Sequence, residues 1–447
     1  MRSRARNARR ALLSAALLTA VGGAVASAAG PSPEVAPRRI ALKAARLLDV
    51  RKGTYVAEPV LLVEGDRIRA LGRKLSVPAG YQVVELPGLT LLPGLVDCHT
   101  HITWQADSYL DDLFRKSPVH WAIIAHTYAR RTLAAGFTTV RVLGAPELVD
   151  VELKKAIERG DIPGPRMQVA TLPIGATGSH ADLVGFSPYL ELKEMSPIAD
   201  GPDAIRKAVR TRVKYGADVI KMMASAGVLS EEASVGAPQY SQEEMDVLVA
   251  EARMWGRDVA AHAHGTEAIR RAVSAGVRSI EHGSMLDDEL IALMKQRGTW
   301  LVADIYNDDF ILAEFTRKGY PEALIAKERS VGQVQRESFR RAAQAGVRIA
   351  FGTDAGIFPH GWNAKQLAKM VEWGLTPLEA LQSASSSAAE LLRWQDRIGA
   401  LEVGLYADVI GVEGDPLQDV TVLEQKIPFV MKGGVVQVGP TASGANP

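Results

Sequence analysis

The chain has 447 residues, of which 47% are hydrophobic and 23% charged, so it holds ample apolar material for a large core. Its formal net charge is +1, and loss of residues 1–29, which hold five arginines and no acid, would leave −4. This balance argues against a basic surface for nucleic acid or an anionic membrane. The single cysteine, Cys98, excludes an internal disulfide.

Residues 1–29 have the layout of an export signal. An arginine-rich segment at 2–10 precedes an apolar stretch from Ala11 to about Val25, and small residues follow at 26–29. The apolar stretch is short for a membrane span. We therefore expect cleavage, no stable membrane insertion afterwards, and a periplasmic or secreted protein; an uncleaved anchor is the alternative. The pair Arg9-Arg10 is compatible with twin-arginine export as well as the general secretory route.

The two ends of the mature chain share β character. Residues 30–37 form a proline-rich linker, and residues 38–92 predict short strands separated by turns. The same character returns over 396–440. We predict that both segments pack into one small β-sandwich and that residues 441–447 form a disordered tail.

Between residues 93 and 395, short apolar runs alternate with longer amphipathic segments. One of these segments begins at Ser241 and has Glu244 three residues later, which is a capping box at the start of a helix. Eight runs predict strands: 94–101, 138–143, 166–170, 217–223, 258–264, 278–283, 299–305 and 348–356. Eight strand–helix units predict an α/β fold of the (β/α)8 TIM-barrel type.

Six candidate metal ligands occur in five of these runs: His99, His101, Lys221, His262, His282 and Asp354. A parallel barrel gathers the carboxyl ends of its strands on one face, so the six side chains can converge on one or two ions. His99 and His101 are two residues apart on a strand and therefore face the same way, as do His262 and His264. Imidazole is a common zinc ligand. Each histidine taken alone has an equally good interpretation as an ordinary buried residue.

Lys221 and Asp354 have more specific interpretations. An unpaired ammonium in the apolar run around Lys221 would be costly, so we expect a neutral amine that takes up carbon dioxide as a carbamate. A lysine whose ammonium reaches solvent from the strand edge is the alternative. Asp354 can bind a metal and accept a proton from water, although a helix N-cap is its other interpretation.

Taken together, these residues resemble the binuclear members of the amidohydrolase superfamily. The motifs that carry the resemblance are LLPGLVDCHTH, HAHG, EHG and GTDAG, and it extends over nearly the whole chain. Within the superfamily, the chain is similar to prolidase-like dipeptidases, imidazolonepropionases and ochratoxin-hydrolysing amidohydrolases. The resemblance implies two divalent ions, with zinc as the default. It implies a first ion bound by His99, His101 and Asp354, a second bound by His262 and His282, and carboxylated Lys221 as the bridge.

The resemblance also implies contacts with substrate. His180, in the run TGSHAD at 177–182, would contact the scissile carbonyl and act in catalysis with Asp354. His264 would help to hold a substrate carboxylate. Tyr240 and His360 are further candidates for binding substrate, with a surface role as the alternative.

The predicted function is hydrolysis of an amide bond to a C-terminal amino acid with a free carboxylate. A hydroxide bridging the two ions would attack the carbonyl, while Asp354 accepts a proton and returns it to the leaving nitrogen. Xaa-Pro and other dipeptides, N-acyl amino acids and ochratoxin-type amides are candidate substrates. A homo-oligomer is compatible with the sequence.

Two alternatives stay open: a cyclic-amide hydrolase of the imidazolonepropionase type, and a secreted metal- or ligand-binding protein without turnover. A mononuclear deaminase is disfavoured because Gly265 stands where such enzymes commonly carry glutamate. A serine hydrolase is disfavoured because the G-x-S-x-G turn is missing.

Overall fold

The computed structural model describes residues 37–106, 115–182, 184, 187, 189, 197–230 and 234–440. The predicted signal segment 1–29, nearly all of the predicted linker 30–37 and the predicted tail 441–447 lie outside the described residues. The predicted domain boundaries near residues 93 and 395 stay predictions.

The strands of the described residues are short and mostly buried. In chain order they are β1 (Arg39–Asp49), β2 (Thr54–Ala57), β3 (Pro59–Glu64), β4 (Arg67–Arg73), β5 (Gln82–Pro93), β6 (Leu95–Thr100), β7 (Phe137–Val142), β8 (Arg166–Val169), β9 (Val219–Met223), β10 (Asp258–Ala263), β11 (Ser279–His282), β12 (Trp300–Val302), β13 (Val409–Val412), β14 (Phe429–Lys432) and β15 (Val435–Val438).

The α-helices of the described residues lie between β6 and β13 in the chain. They are Pro118–Ala134, Val149–Arg159, Gly201–Lys214, Gln242–Met254, Thr266–Ala275, Asp288–Arg297, Asn307–Phe310, Thr316–Lys318, Glu322–Ala345, Lys365–Glu372, Pro377–Ser383 and Ser386–Leu391. The predicted capping box is confirmed, because the Ser241 hydroxyl accepts from the Glu244 backbone and Glu244 accepts from the Ser241 backbone. No helix in the described ranges has both the length and the apolar character that crossing a membrane requires.

Strands from both ends of the chain form one sheet, with the order β15-β14-β13-β5-β1-β3-β4 and with β2 paired to β1. The two ends meet where β13 runs antiparallel to β5, with Ile410 opposite Leu92. Leu42, Leu61 and Leu91 are fully buried in its core. The two ends therefore share a β unit as expected, but the hydrogen bonds describe a single sheet, and the predicted β-sandwich is not confirmed.

The central region contains two parallel sheets, β6-β7-β8 and β9-β10-β11-β12. Single bridges extend them: Ile174 with Met222, Leu301 with Ile349, and Thr100 with Ala355. The eighth predicted strand, 348–356, does not form a regular strand; it contributes two of these bridges and backbone hydrogen bonds to β6 and β12. Seven parallel strands with intervening helices confirm the mixed α/β fold, but the sheet is not closed into the predicted barrel.

The eighth predicted strand ends in backbone angles that an extended strand does not adopt. Asp354 has a φ of 55° and Gly356 a φ of 125°, and neither angle is compatible with an extended strand. The chain therefore turns at the point where Asp354 enters the site. The first, fourth, fifth and sixth parallel strands, β6, β9, β10 and β11, carry His99, Lys221, His262 and His282 near their carboxyl ends.

Candidate metal centre

A cavity of about 240 Å³ lies at the carboxyl ends of the parallel strands. Its wall includes eight of the predicted site residues: His99, His101, His180, Lys221, His262, His264, His282 and Asp354. The strand order brings together side chains that are up to 255 positions apart in the sequence, His99 and Asp354 being the extreme pair. The convergence expected of the six candidate ligands is therefore present.

Asp354 joins His99 of β6 to His101, which directly follows that strand. Its Oδ1 lies 3.3 Å from His99 Nε2 and 3.1 Å from His101 Nε2. The Asp354 backbone N–H donates to the His99 carbonyl at 2.7 Å, which fixes the carboxylate beside the strand. Because a φ of 55° is rare for a residue other than glycine, the backbone strain here is of the kind found at functional sites.

A second group contains the histidines of β10 and β11 and the residue that follows β10. The ligand atoms of His262, His264 and His282 lie within 4.8 Å of one another, as do those of His99, His282 and Asp354. His282 belongs to both groups. The structure therefore brings His264, predicted only as a substrate contact, within the same reach as the two predicted ligands.

Several buried ligand atoms in these two groups make no hydrogen bond. Among the described residues, neither His262 Nε2 nor His282 Nε2 has a hydrogen-bond partner, and the same is true of Asp354 Oδ1. Buried polar atoms are nearly always satisfied, so orphaned imidazole nitrogens facing a shared cavity need an explanation. Neutral imidazole and carboxylate are the donors that a divalent transition metal takes, and the residues present therefore fit such ions.

Lys221 is buried on β9, with an exposed fraction of 2%, and its Nζ lies 3.5 Å from His99 Nε2. Burial lowers the pKa of this amine to about 8, although Glu281 and Asp354 act in the opposite direction. A neutral amine is therefore accessible near physiological pH, as the predicted carbamate requires.

The electrostatics favour neutral imidazoles at His99, His262 and His264 and an ionised carboxylate at Asp354. Burial, followed by neighbouring cationic groups, holds the pKa values of His99, His262 and His264 well below their usual range. Burial raises the pKa of Asp354, but His99 and His101 outweigh it and the net pKa is lowered. This combination is the protonation state that metal binding needs.

The second ring nitrogens of His282 and His101 contact residues that the sequence did not single out. His282 Nδ1 lies 3.0 Å from Asp304 Oδ1, and His101 Nδ1 lies 3.0 Å from the Gly144 carbonyl. Burial lowers the pKa of His282, yet the Asp304 carboxylate more than compensates and raises it. Contacts of this type fix the tautomer and ring orientation of a metal-binding histidine.

A buried ion pair lies behind His99. Arg141 Nη2 donates to Glu281 Oε1 at 2.9 Å, and the two side chains are 2% and 0% exposed. Glu281 Oε2 lies 3.1 Å from His99 Nδ1, close but not aligned for a hydrogen bond. The sequence offers one signal for this pair: Arg141 and Glu281 are charged residues within the predicted strands that became β7 and β11.

His180 lies against the second group. Its ring stacks on His262 at a centroid distance of 4.3 Å, and its Nδ1 lies 2.6 Å from the Ser230 hydroxyl. Gly227 makes room for the ring, because a Cβ at this position would lie 2.4 Å from His180 Cε1. His180 is thus at the cavity wall, where a contact with substrate was predicted.

Tyr240 and His360 do not line the cavity. The Tyr240 hydroxyl donates to the Ala199 carbonyl at 2.8 Å, and His360 Nε2 lies 2.8 Å from the Trp104 carbonyl. Both side chains are buried, with exposed fractions of 2% and 3%. The structure therefore does not bring them to the site, and their predicted substrate contacts stay untested.

The chain resembles known proteins over most of its length. Residues 90–437 match the amidohydrolase family. An ochratoxinase of Aspergillus niger is 33% identical over 422 residues, which are 89% of this chain and 86% of that protein. An imidazolonepropionase of Deinococcus deserti is 26% identical over 390 residues, or 83% of this chain and 89% of that protein.

The fold agrees with these matches. The crystal structure of a Xaa-Pro dipeptidase with methionine bound in its active site superimposes with a TM-score of 0.85 and 37% identity, and covers 90% of this chain and 100% of that one. The matches together support a hydrolytic enzyme that acts on amide bonds. The expected resemblance is confirmed, and the chain belongs to the amidohydrolase family.

Proposed function

We propose that this protein is an exported, metal-dependent amidohydrolase that cleaves the amide bond to a C-terminal amino acid with a free carboxylate. The observation that carries the proposal is the convergence of His99, His101, Lys221, His262, His282 and Asp354 on one cavity, with orphaned ligand atoms facing it. The names of the similar proteins, an ochratoxinase and a Xaa-Pro dipeptidase, support an amide of this kind.

Two divalent ions, with zinc as the default, would be held by these residues. His99, His101 and Asp354 would hold one ion, and His262 and His282 the other. His264 is close enough to His262 and His282 to serve the second ion or the substrate. When bound, the ions supply Lewis acidity, which polarises a carbonyl and makes water nucleophilic near neutral pH.

Asp354 is the proton carrier in this proposal. Its lowered pKa means that it is ionised and able to accept a proton from water. It then delivers that proton to the amide nitrogen as the carbon–nitrogen bond breaks, so that a free amine leaves and a carboxylate remains. His180 orients the scissile carbonyl and stabilises the negative charge that develops on its oxygen.

Lys221 would bridge the two ions as a carbamate. Its neutral amine adds to carbon dioxide, a nitrogen–carbon bond forms, and one proton is released to give an anion with two oxygens. The lowered pKa and full burial of the amine support this step, since an unmodified ammonium there would be poorly stabilised.

Hydrolysis by the metal-loaded protein tests the proposal. The panel contains Xaa-Pro, Xaa-Lys and Xaa-Phe dipeptides, N-acetyl amino acids, an ochratoxin-type amide and a cyclic amide of the imidazolone type. We expect release of an amino acid from at least one linear amide and loss of this activity after treatment with a chelator. Opening of the cyclic amide alone would favour the imidazolonepropionase alternative, and no turnover would favour a binding protein.

Variants connect the activity to the site. Asp354→Asn removes the proton carrier and Lys221→Ala removes the bridge, so both should lose about a thousandfold or more in kcat/KM, and Lys221→Ala should also lose metal. His120→Asn is the control, because His120 is an exposed helical histidine outside the cavity. Full activity of Lys221→Ala would contradict the bridging role.

The export part of the proposal rests on residues 1–29 alone. Expression of the full chain in a bacterium, followed by fractionation and N-terminal sequencing, tests it. A mature N-terminus near residue 30 in the periplasm or medium is expected, and an intact N-terminus in the cytoplasm would contradict it.

A further inference from the structure

One face of the helix Glu322–Ala345 forms part of the cavity wall. Glu328, Val331 and Gln335 lie on this face, at spacings of three and four residues, and all three line the cavity. Gln335 is committed to the metal centre, since its Nε2 donates to Asp304 Oδ1 at 2.7 Å. Glu328 has no task in the proposed chemistry.

The Glu328 carboxyl is buried without a partner. Its exposed fraction is 4%, and within the described part of the chain no hydrogen bond or ion pair engages it. Burying an ionised carboxylate without compensation is costly. An ionisable acid in a cavity wall with which no described residue pairs points to a partner that enters the cavity.

The charges around Glu328 do not supply that partner. Asp308 and Asp304 are its acidic neighbours, and together with burial, the largest cause, they raise its pKa to about 8. Arg336 is the nearby cation that acts against this rise, but it is engaged with Asp308 at 3.0 Å and Asp309 at 2.7 Å. The nearby cations are thus paired with these acids, and none in the described part of the chain pairs with Glu328.

Lys327, the next residue in the helix, does not pair with Glu328 either. Lys327 Nζ donates to the Ser230 carbonyl at 2.6 Å. Val331, one turn further along the same helix face, offers apolar surface next to the acid. Glu328 beside Val331 in the cavity wall therefore suits a ligand whose cationic group is attached to an aliphatic carbon. The cation would pair with the carboxylate, and the carbon would contact the valine.

We infer that Glu328 is a specificity-determining residue that pairs with a cationic group of the substrate, an ammonium or a guanidinium. This inference rests on the proposed amide hydrolysis. The cation has two sources in a dipeptide: the α-ammonium of a free N-terminal residue, or the side chain of a lysine or arginine. Pairing leaves Glu328 ionised and satisfied, whereas a neutral substrate leaves the acid without a partner.

Substrates that differ by one charge test the inference. Ala-Lys and Ala-norleucine differ in the side-chain ammonium, so their comparison tests the side-chain source. Ala-norleucine and propionyl-norleucine differ in the α-ammonium, so their comparison tests the N-terminal source. We expect metal-loaded wild type to prefer the cationic member of at least one pair by about tenfold or more in kcat/KM. In Glu328→Gln that ratio should fall to within about threefold of unity, through loss on the cationic member alone.

Two further variants sharpen the result. Glu328→Lys reverses the charge and should make the neutral member the better substrate. Glu251→Gln is the matched control, because Glu251 is also 4% exposed but is paired with Arg210 at 2.8 Å and does not line the cavity. It should keep the wild-type ratio. Metal content and thermal midpoint, measured for every variant, show that the site is assembled.

Several outcomes would overturn the inference: equal rates within both pairs in wild type, or a preference that survives in Glu328→Gln, or an equal loss on all substrates. If wild type hydrolyses no amide, the proposed function fails, and binding then decides the role of Glu328. Calorimetry on the metal-loaded protein compares lysine with norleucine, and alaninamide with propionamide. Tighter binding of a cationic member by about tenfold, lost in Glu328→Gln, supports the inference, and equal binding contradicts it.

Discussion

Asp304→Asn tests how much a residue that orients a ligand contributes to metal binding, because it leaves every proposed ligand in place. Asp304 Oδ1 accepts from His282 Nδ1 at 3.0 Å and from Gln335 Nε2 at 2.7 Å, while Oδ2 accepts from Asn307 Nδ2 at 2.7 Å. An asparagine has one oxygen and one NH2 group. If the oxygen stays beside His282, the NH2 group faces the Asn307 amide, which must rotate to accept.

The opposite orientation is worse for the metal centre. The new NH2 group would then face two donors, and His282 would have to place its proton on Nε2, the nitrogen needed for the ion. Residues that orient a ligand histidine typically contribute about 10–100-fold to metal affinity. We expect Asp304→Asn to weaken one ion by that factor, about 1.4–2.8 kcal/mol. An unsatisfied buried donor would add about 1–3 kcal/mol of destabilisation.

Competition with a chromogenic chelator measures the affinity, and urea denaturation of the metal-free protein measures the stability. Asp308→Asn is the matched control, because Asp308 is also a buried acid but pairs with Arg336 and is absent from the cavity wall. It should keep metal affinity within about threefold of wild type. Wild-type affinity in Asp304→Asn would refute the orienting role.

Three further changes have defined outcomes. Glu281→Gln leaves buried Arg141 without its carboxylate and should lower the free energy of unfolding by about 3–5 kcal/mol in urea denaturation; no loss would contradict the buried pair. The pKa of Glu328 is raised from 4.5 to about 8, so its contribution to stability is present below pH 4.5 and is lost as pH rises towards 8. The free energy of unfolding of metal-free Glu328→Gln should therefore gain on wild type over this range, and a constant difference would contradict the raised pKa. Gly227→Ala places a Cβ 2.4 Å from His180 and should lower kcat/KM by about 10²–10³ with metal content retained, whereas an unchanged rate would exclude His180 from catalysis.

The ligands could be predicted because they follow a simple rule of chain order. His99, His101, His262 and His282 lie at, near or just past the end of a parallel strand, Lys221 lies within β9, and Asp354 lies in the eighth apolar run. The ends of parallel strands meet on one face whatever the helices between them do. Lys221 and His282 were predicted on this basis, and both reach the cavity. Tyr240, a further candidate for binding substrate, is at no predicted strand end, and its hydroxyl donates to the Ala199 carbonyl outside the cavity wall.

The residues missed in sequence were missed for different reasons. Asp304 lies at the end of the predicted run 299–305, beside His282 on the neighbouring strand β11, and the strand-end rule could have found it. Glu328 is one of many polar residues in the helix Glu322–Ala345, so its position in the sequence does not mark it. Only its burial in the cavity wall distinguishes it from its neighbours. The positive φ at Asp354 likewise could not be read from an apolar run, which is why a regular eighth strand was expected.

Anomalous diffraction from crystals of the protein grown with zinc and bicarbonate shows whether the centre holds two ions. We expect two peaks in the cavity, one beside His99, His101 and Asp354 and the other beside His262 and His282, with added density on Lys221 Nζ between them. A cavity without a metal peak, or a single ion with an unmodified Lys221, would contradict the binuclear centre.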